Sequence, residues 1–105
     1  MTALPHPIQS FLESTNRGDA EAVISCFAPD AILSDWGRTF HGQAGVAEWD
    51  KTDNTGVRSH IEALNATTAG DRHAVTVRVS GDGFNGTGEM FFTLAGDRIA
   101  RLEIE

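Results

Sequence analysis

The hydrophobic and polar positions of this chain change period once, near residue 57, from a helical spacing to a strict alternation. Before that point, Ile8, Phe11, Leu12 and Thr15 recur at the i, i+3, i+4, i+7 spacing of one helical face. Pro7 suits the first turn of that helix, and Asn16-Arg17-Gly18 closes it, Gly18 being fit for a left-handed cap. Asp19 then caps a second helix with an inner face of Ala22, Val23, Cys26 and Phe27, ended by Pro29. The alternation in Ile32-Leu33-Ser34-Asp35-Trp36 predicts a strand with Leu33 and Asp35 on one face and Ile32, Ser34 and Trp36 on the other. Trp36-Gly37-Arg38 reads as a turn and Thr39 to His41 as a return strand closed by Gly42. Gln43 to Asp50 reads as a third helix, with Val46 and Trp49 at i, i+3 spacing, and Lys51 to Gly56 as a polar connection in which Asp53-Asn54 form a loop.

Beyond residue 57 the period is 2. Val57 to Thr68, His73 to Ser80, Glu89 to Leu94 and Arg98 to Glu105 read as strands, joined by turns at Ala69–Arg72, Gly81–Gly88 and Ala95–Asp97. Val75, Val77 and Val79 share one face against Thr76 and Arg78; Ala100, Leu102 and Ile104 alternate against Ile99, Arg101 and Glu103. Helices first and an antiparallel meander second predict an α+β domain with helices on one face of a sheet. Positions 1–6 read as a loose end.

At 105 residues the chain is one domain, 1–105, large enough to bury a core without metal or disulfide support. The single cysteine, Cys26, excludes an internal disulfide and is most simply a small core side chain. With no apolar run of signal-peptide length ahead of the first helix, the expected compartment is the cytoplasm, and no stretch is long enough to cross a bilayer. A net charge of −7 with one lysine argues against nucleic acid or an anionic membrane as partner. A neutral or weakly charged small molecule fits better. Six Phe and two Trp but no Tyr leave no phenol for catalysis.

The candidate chemistry centres on Asp35. A carboxylate at a strand tip, walled by Trp36, Trp49, Phe27 or Phe92, would be desolvated enough to serve as a general base; otherwise it is solvated or paired with Arg38 or Arg58. His60 shares an alternate face with Glu62 and Leu64 and could donate to a substrate carbonyl or relay a proton, the alternative being a partly exposed structural histidine. His60-Ile61-Glu62 matches the H-x-E of zinc deaminases, but no cysteine pair follows. Arg78 is expected on the surface, paired with Glu89 or Glu62. Gly86 and Gly88 do not form a phosphate loop, because no helix follows them; they suit a wide hairpin with Phe84 over the pocket mouth.

The element order, with Asn16-Arg17-Gly18-Asp19, Phe27-Ala28-Pro29-Asp30-Ala31, Gly42-Gln43-Ala44-Gly45-Val46-Ala47-Glu48-Trp49 and Ala95-Gly96-Asp97-Arg98-Ile99, resembles the nuclear transport factor 2-like superfamily. That superfamily includes the SnoaL-like polyketide cyclases and the ketosteroid isomerases. The resemblance covers nearly the whole chain. It implies a cone-shaped, curved sheet of mixed, mostly antiparallel strands wrapped around three N-terminal helices, with one internal pocket and frequently a dimer through the outer sheet face. In the ketosteroid isomerases a general-base aspartate ends the first strand, five positions after the aspartate that follows the second helix. Asp35 lies five after Asp30, so the resemblance carries the base onto Asp35, and it carries an apolar pocket residue late in the third helix onto Trp49. Their oxyanion hole uses a tyrosine on the first helix and a protonated aspartate on a late strand, where this chain has Phe11 and Gly88 next to Glu89.

Together these readings predict a small cofactor-independent and metal-free acid/base enzyme, of isomerase, cyclase or dehydratase type, acting on an apolar carbonyl-bearing molecule. Asp35 and His60 are its candidate catalytic residues, and Trp36, Trp49, Phe11, Phe27, Phe84 and Phe92 its candidate substrate-binding residues. The alternative is a non-catalytic ligand-binding or dimerisation module of the same fold. A homodimer is expected if Ile99 and Val75, or their alternates, project from the sheet as an apolar patch.

Overall fold

The structure, a computed structural model, describes residues 4–105; of the loose end expected at 1–6, the first three positions lie outside the described residues. Two helices open the chain, α1 (His6–Arg17) and α2 (Ala20–Ser25). Gly18, at φ 72°, ends α1 in the left-handed conformation, and the Asp19 side chain accepts a hydrogen bond from the Ala22 amide to start α2. They are followed by β1 (Phe27–Asp35), β2 (Arg38–His41) and α3 (Gly42–Asp53). A short 3₁₀ turn at Thr55–Val57 then leads into β3 (His60–Ala69), β4 (Arg72–Ser80), β5 (Gly86–Ala95) and β6 (Arg98–Ile104).

The six strands form one open sheet in the order β2-β1-β6-β5-β4-β3. All neighbours are antiparallel except β1 and β6, which run parallel with Asp35 opposite Ile104. The strand that carries Asp35 therefore lies inside the sheet, flanked by β2 and β6, rather than on an edge. Several boundaries differ from the sequence reading. β2 begins one residue early, at Arg38, and β5 begins at Gly86, so Gly86 and Gly88 pair with Val79 and Val77 inside the sheet and the hairpin loop is shorter than expected. Phe27 leaves α2 and opens β1, and Pro29 sits within that strand where the register to β6 shifts between Phe27 and Ile32, an irregularity that tolerates a residue with no N–H. α3 continues to Asp53, one turn past the expected end. Val57 belongs to the 3₁₀ turn, and Arg58, at φ 54°, reverses the chain before β3 begins at His60.

Strand parity sorts the two faces. Ile61, Val75, Val77, Met90, Phe92 and Leu102 turn toward the helices and are buried. Ile99 and Val75 are fully buried in this core, so they do not form the outer apolar patch on which a dimer was expected to rest. The outer face carries Arg78 paired with Glu62 at 3.3 Å, and Arg72, which pairs with Glu103 at 3.5 Å and covers the Phe91 ring at 4.5 Å. Phe11 is the centre of the core: its ring meets Phe27 and Phe92 edge-on, at 5.8 and 5.7 Å, and stacks against Trp49 at 6.3 Å. Such aromatic pairs add about 0.5–1.5 kcal/mol each beyond area burial.

Polar clamps fix the helices to the sheet. The Asn16 amide takes both backbone groups of Ile61, donating to its carbonyl at 2.9 Å and accepting from its N–H at 2.7 Å. The buried Asn54 amide donates to Thr15 Oγ1 at 3.0 Å and to Asp50 Oδ1 at 2.9 Å, and the buried Asp50 carboxylate also accepts from the Thr55 hydroxyl. These bonds satisfy buried polar groups that would otherwise cost about 1–3 kcal/mol apiece, and they hold α1, α3 and the start of β3 in one arrangement. Among the described residues, no helix is long and apolar enough to cross a membrane.

Candidate active site

A cavity of about 220 Å³ opens between α3, the ends of β1 and β6, and the far ends of β3, β4 and β5. Its apolar walls include Trp49, Ile61, Val77, Val79, Met90 and Ile104; Asp35, Arg38, Thr52 and Asp53 are grouped on its polar side, and Asn54, Ser59, Glu89 and Glu105 also line it. Alternation along β1 puts Ala31, Leu33 and Asp35 on the helix-facing side, so the last of the three brings a carboxylate to the edge of an otherwise apolar layer. Asp35 is 8% exposed.

Two donors hold this carboxylate, and both bind the same oxygen. Trp49 Nε1 donates to Oδ2 at 2.9 Å, and Arg38 Nη2 donates to Oδ2 at 2.9 Å, so the pairing with Arg38 that the sequence offered as the alternative to a desolvated base is present, beside a cavity. Oδ1 makes no hydrogen bond to any described residue, and it is not among buried polar atoms left without a partner, so it is open to solvent or to a bound molecule. The carboxylate is thus fixed through one oxygen and offers the other.

Arg38 is itself held from the far side. It donates to both oxygens of Asp53, from Nη2 at 3.0 Å and from Nη1 at 3.2 Å, and Thr52 Oγ1 donates to the same carboxylate at 2.7 Å. The type of turn makes this contact possible: Trp36 and Gly37, at φ 49° and 89°, form a two-residue hairpin loop that sets Arg38 directly across from Asp35. Hydrogen bonding to Asp53 raises the Arg38 pKa above its ordinary value, against a smaller opposing effect of desolvation. Burial is the largest single influence on Asp53 and pushes its pKa up; hydrogen bonds from Arg38 and Thr52 and the guanidinium charge together outweigh it, and the net direction is down.

The candidate residues named from sequence divide into three groups. Asp35 and Trp49 meet in the cavity wall. Trp36 and Phe84 line the mouth, 74% and 56% exposed. Phe84 comes from the glycine-rich loop between β4 and β5, where Asn85 bonds back to Gly81 and Gly83. Phe11, Phe27 and Phe92 do not line the cavity; they are fully buried in the core beneath it, and Phe11 touches the site only by stacking on Trp49. His60 is also outside the cavity. Because Ile61 faces inward, its strand neighbour His60 faces outward, and it is exposed opposite Ser80. Gly88 does line the cavity, where an added Cβ would lie 3.1 Å from the Glu105 carbonyl oxygen.

Asp53 and the full role of Arg38 escaped the sequence reading, which ended α3 at Asp50. A signal was present: Asp53 lies four positions after Trp49, and on a continuous helix those two side chains share a face. Cys26 is buried, its Sγ donates to the Ala22 carbonyl at 3.2 Å, and burial pushes its pKa up against a smaller opposing effect of Arg17. Among the described residues, no group of three or more His, Cys, Asp or Glu side chains is arranged to hold a metal ion.

Residues 8–102 match the model of the SnoaL-like domain, and the chain belongs to that family. It is similar to a candidate polyketide cyclase from Sinorhizobium meliloti, with 32% identity over 97% of this chain and 95% of that one, and a TM-score of 0.88. A Catenulispora acidiphila protein with a ketosteroid isomerase-like fold, solved in complex with trimethylamine, is 18% identical over 98% of this chain and 86% of that one, with a TM-score of 0.85. A computationally designed 17-OHP binder is 17% identical over 97% and 92% of the two chains, with a TM-score of 0.83. The latter two share the fold with this chain. No match is found among curated proteins.

Proposed function

We propose that this protein is an acid/base enzyme that moves a proton on an apolar, carbonyl-bearing small molecule, with Asp35 as the base. The observation that carries the reading is the asymmetry of its carboxylate: Oδ2 is anchored by Trp49 and Arg38, and Oδ1 is open beside an apolar cavity of about 220 Å³. A base that must take a proton from carbon needs a fixed direction and a free lone pair, and this arrangement supplies both. In the proposed step, Oδ1 accepts a proton from a carbon next to the carbonyl, the C–H electron pair passes to the carbonyl oxygen, and the proton returns to a different atom. An isomerisation, an aldol cyclisation or a dehydration each begins this way.

Trp49 contributes wall and donor at once, and Trp36 and Phe84 would cover a ligand at the mouth. The similarity to a candidate polyketide cyclase supports a carbonyl substrate, and the designed 17-OHP binder supports the capacity of this fold for an apolar ligand. A homodimer belongs to the same proposal; with Ile99 and Val75 inside, it would use outer-face residues such as Ala74 and Phe91, and sedimentation showing a monomer at micromolar concentration would refute it.

The test is exchange of the α-hydrogens of a model ketone, 2-tetralone, in heavy water, followed by NMR. Wild-type protein should accelerate exchange, and Asp35→Asn should reduce the acceleration by at least about two orders of magnitude, the contribution typical of a positioned general base. Equal exchange by the two proteins, with ligand still bound, would leave a binding module in place of an enzyme.

A further inference from the structure

An enolate formed by Asp35 needs a donor for its oxygen, and the positions where the related isomerases hold theirs contain Phe11, which is buried in the core, and Gly88, which has no side chain. We infer that Arg38 fills this role, so that the substrate is an enolisable carbonyl compound whose oxygen sits against the guanidinium while its α-carbon faces Asp35 Oδ1. This rests on the reading of Asp35 as the base.

The donor count of Arg38 supports it. A guanidinium has five N–H groups. Both on Nη2 are used, one by Asp35 Oδ2 and one by Asp53 Oδ1, and one on Nη1 is used by Asp53 Oδ2. The second Nη1 hydrogen and the Nε hydrogen have no partner among the described residues. The side chain lines the cavity, is about half exposed, and is braced by the Asp53 fork and by the Phe40 ring, 5.5 Å from its centre. A braced cation with free donors, one hydrogen bond away from the base, suits an oxyanion that develops two bonds from the carbon losing its proton.

Charge flow through the site favours the transition state over the ground state. Before transfer, Arg38 lies between two carboxylates, Asp35 and Asp53. When Oδ1 takes the proton, Asp35 becomes neutral and the negative charge appears on the substrate oxygen. Arg38 exchanges one anionic partner for another and stays protonated throughout. Its bond to the substrate strengthens as its bond to Asp35 weakens, so the interaction lowers the barrier instead of only tightening substrate binding.

The experiment uses 4-nitrophenol, whose phenolate mimics an enolate and is read by its visible absorbance, and 4-nitroanisole as the uncharged control. Asp35→Asn stands for the protonated base and should bind 4-nitrophenolate more tightly than wild type. Adding Arg38→Gln to Asp35→Asn should weaken phenolate binding about ten-fold or more and leave 4-nitroanisole unchanged, with Arg38→Lys falling between. Phenolate affinity that is indifferent to Arg38→Gln, in a protein where Asp35→Asn still raises it, would overturn the role of Arg38 and leave Asp35 as the base. If Asp35→Asn does not alter the preference for phenolate over nitroanisole, Asp35 does not face the ligand, and both readings fall together.

Discussion

The indole N–H of Trp49 and the carboxylate of Asp35, fourteen positions apart in the chain, form a buried hydrogen bond of 2.9 Å that ties α3 to the end of β1. The bond orients the candidate base and completes the core at once, because the other side of the same indole stacks on Phe11. Trp49→Phe keeps most of the apolar wall and removes the donor. Hydrogen bonds to charged groups contribute about 1.5–3 kcal/mol, and with Arg38 still in place the loss should fall at the lower end, about 1.5 kcal/mol. For a domain of this size, thermal denaturation should register it as a drop of roughly 6–12 °C. A melting temperature within a degree of wild type would mean that the indole N–H does not hold the carboxylate.

Asp53 makes a prediction about acid. Its folded-state pKa lies below the usual 3.8, so the stability it contributes is present above that value and is lost as pH falls through the folded value. Because Arg38 is half exposed and Asp53 about one-quarter exposed, the contribution is screened, about 1 kcal/mol or less. Asp53→Asn should therefore lower stability slightly at pH 7 and flatten its decline below pH about 4. Urea titrations of both proteins across that interval would measure the difference, and parallel curves would remove Asp53 from the account.

Trp36 occupies a position that a folding criterion alone would not give it. The first residue of a two-residue loop with both φ values positive favours Asn, and an indole that is 74% exposed gains little from burial. Under the proposed function, a strained and exposed aromatic beside the cavity mouth would serve by contact with a ligand. Trp36→Asn should raise stability by about 0.5–1 kcal/mol, since Asn tolerates this conformation at lower cost. The same variant should weaken binding of 4-nitroanisole. A variant that is destabilised, or that binds as well as wild type, would contradict this.

Cys26 should be inert in the native protein. Its thiol is buried and its pKa is raised above 9.0, so little thiolate exists at neutral pH. Labelling with a disulfide reagent at pH 7.5 should be slow in buffer and fast in denaturant. Rapid labelling of the folded chain would show that α2 opens far more readily than its packing suggests.

The period of the apolar positions was enough to read the elements and their order, because each helix and strand buries one face and announces it in the spacing. The side chains that face each other across elements were harder. Asp35 was legible from alternation in β1 and from its place in the resemblance, but Phe11, Phe27 and Phe92 illustrate the limit. An aromatic in a core and an aromatic in a cavity wall obey the same periodicity, and only the shape of the space between the layers separates them. His60 was assigned to a shared face with Glu62, correctly, and the apolar alternates Ile61 and Ala63 mark the opposite face as the inward one, which leaves His60 outside. Arg38 and Asp53 are fifteen positions apart, on a hairpin and on the last turn of a helix, so their pairing exists only after the sheet has folded onto α3.

The parallel seam between β1 and β6 also bears on how the protein folds. Asp35 lies opposite Ile104, whose carbonyl accepts the Trp36 amide at 3.3 Å, so the first of the six strands is seated against the sixth. A pairing of such long sequence separation costs loop-closure entropy before its contacts form, so the hollow beside the acid takes shape only once both ends of the sheet have met.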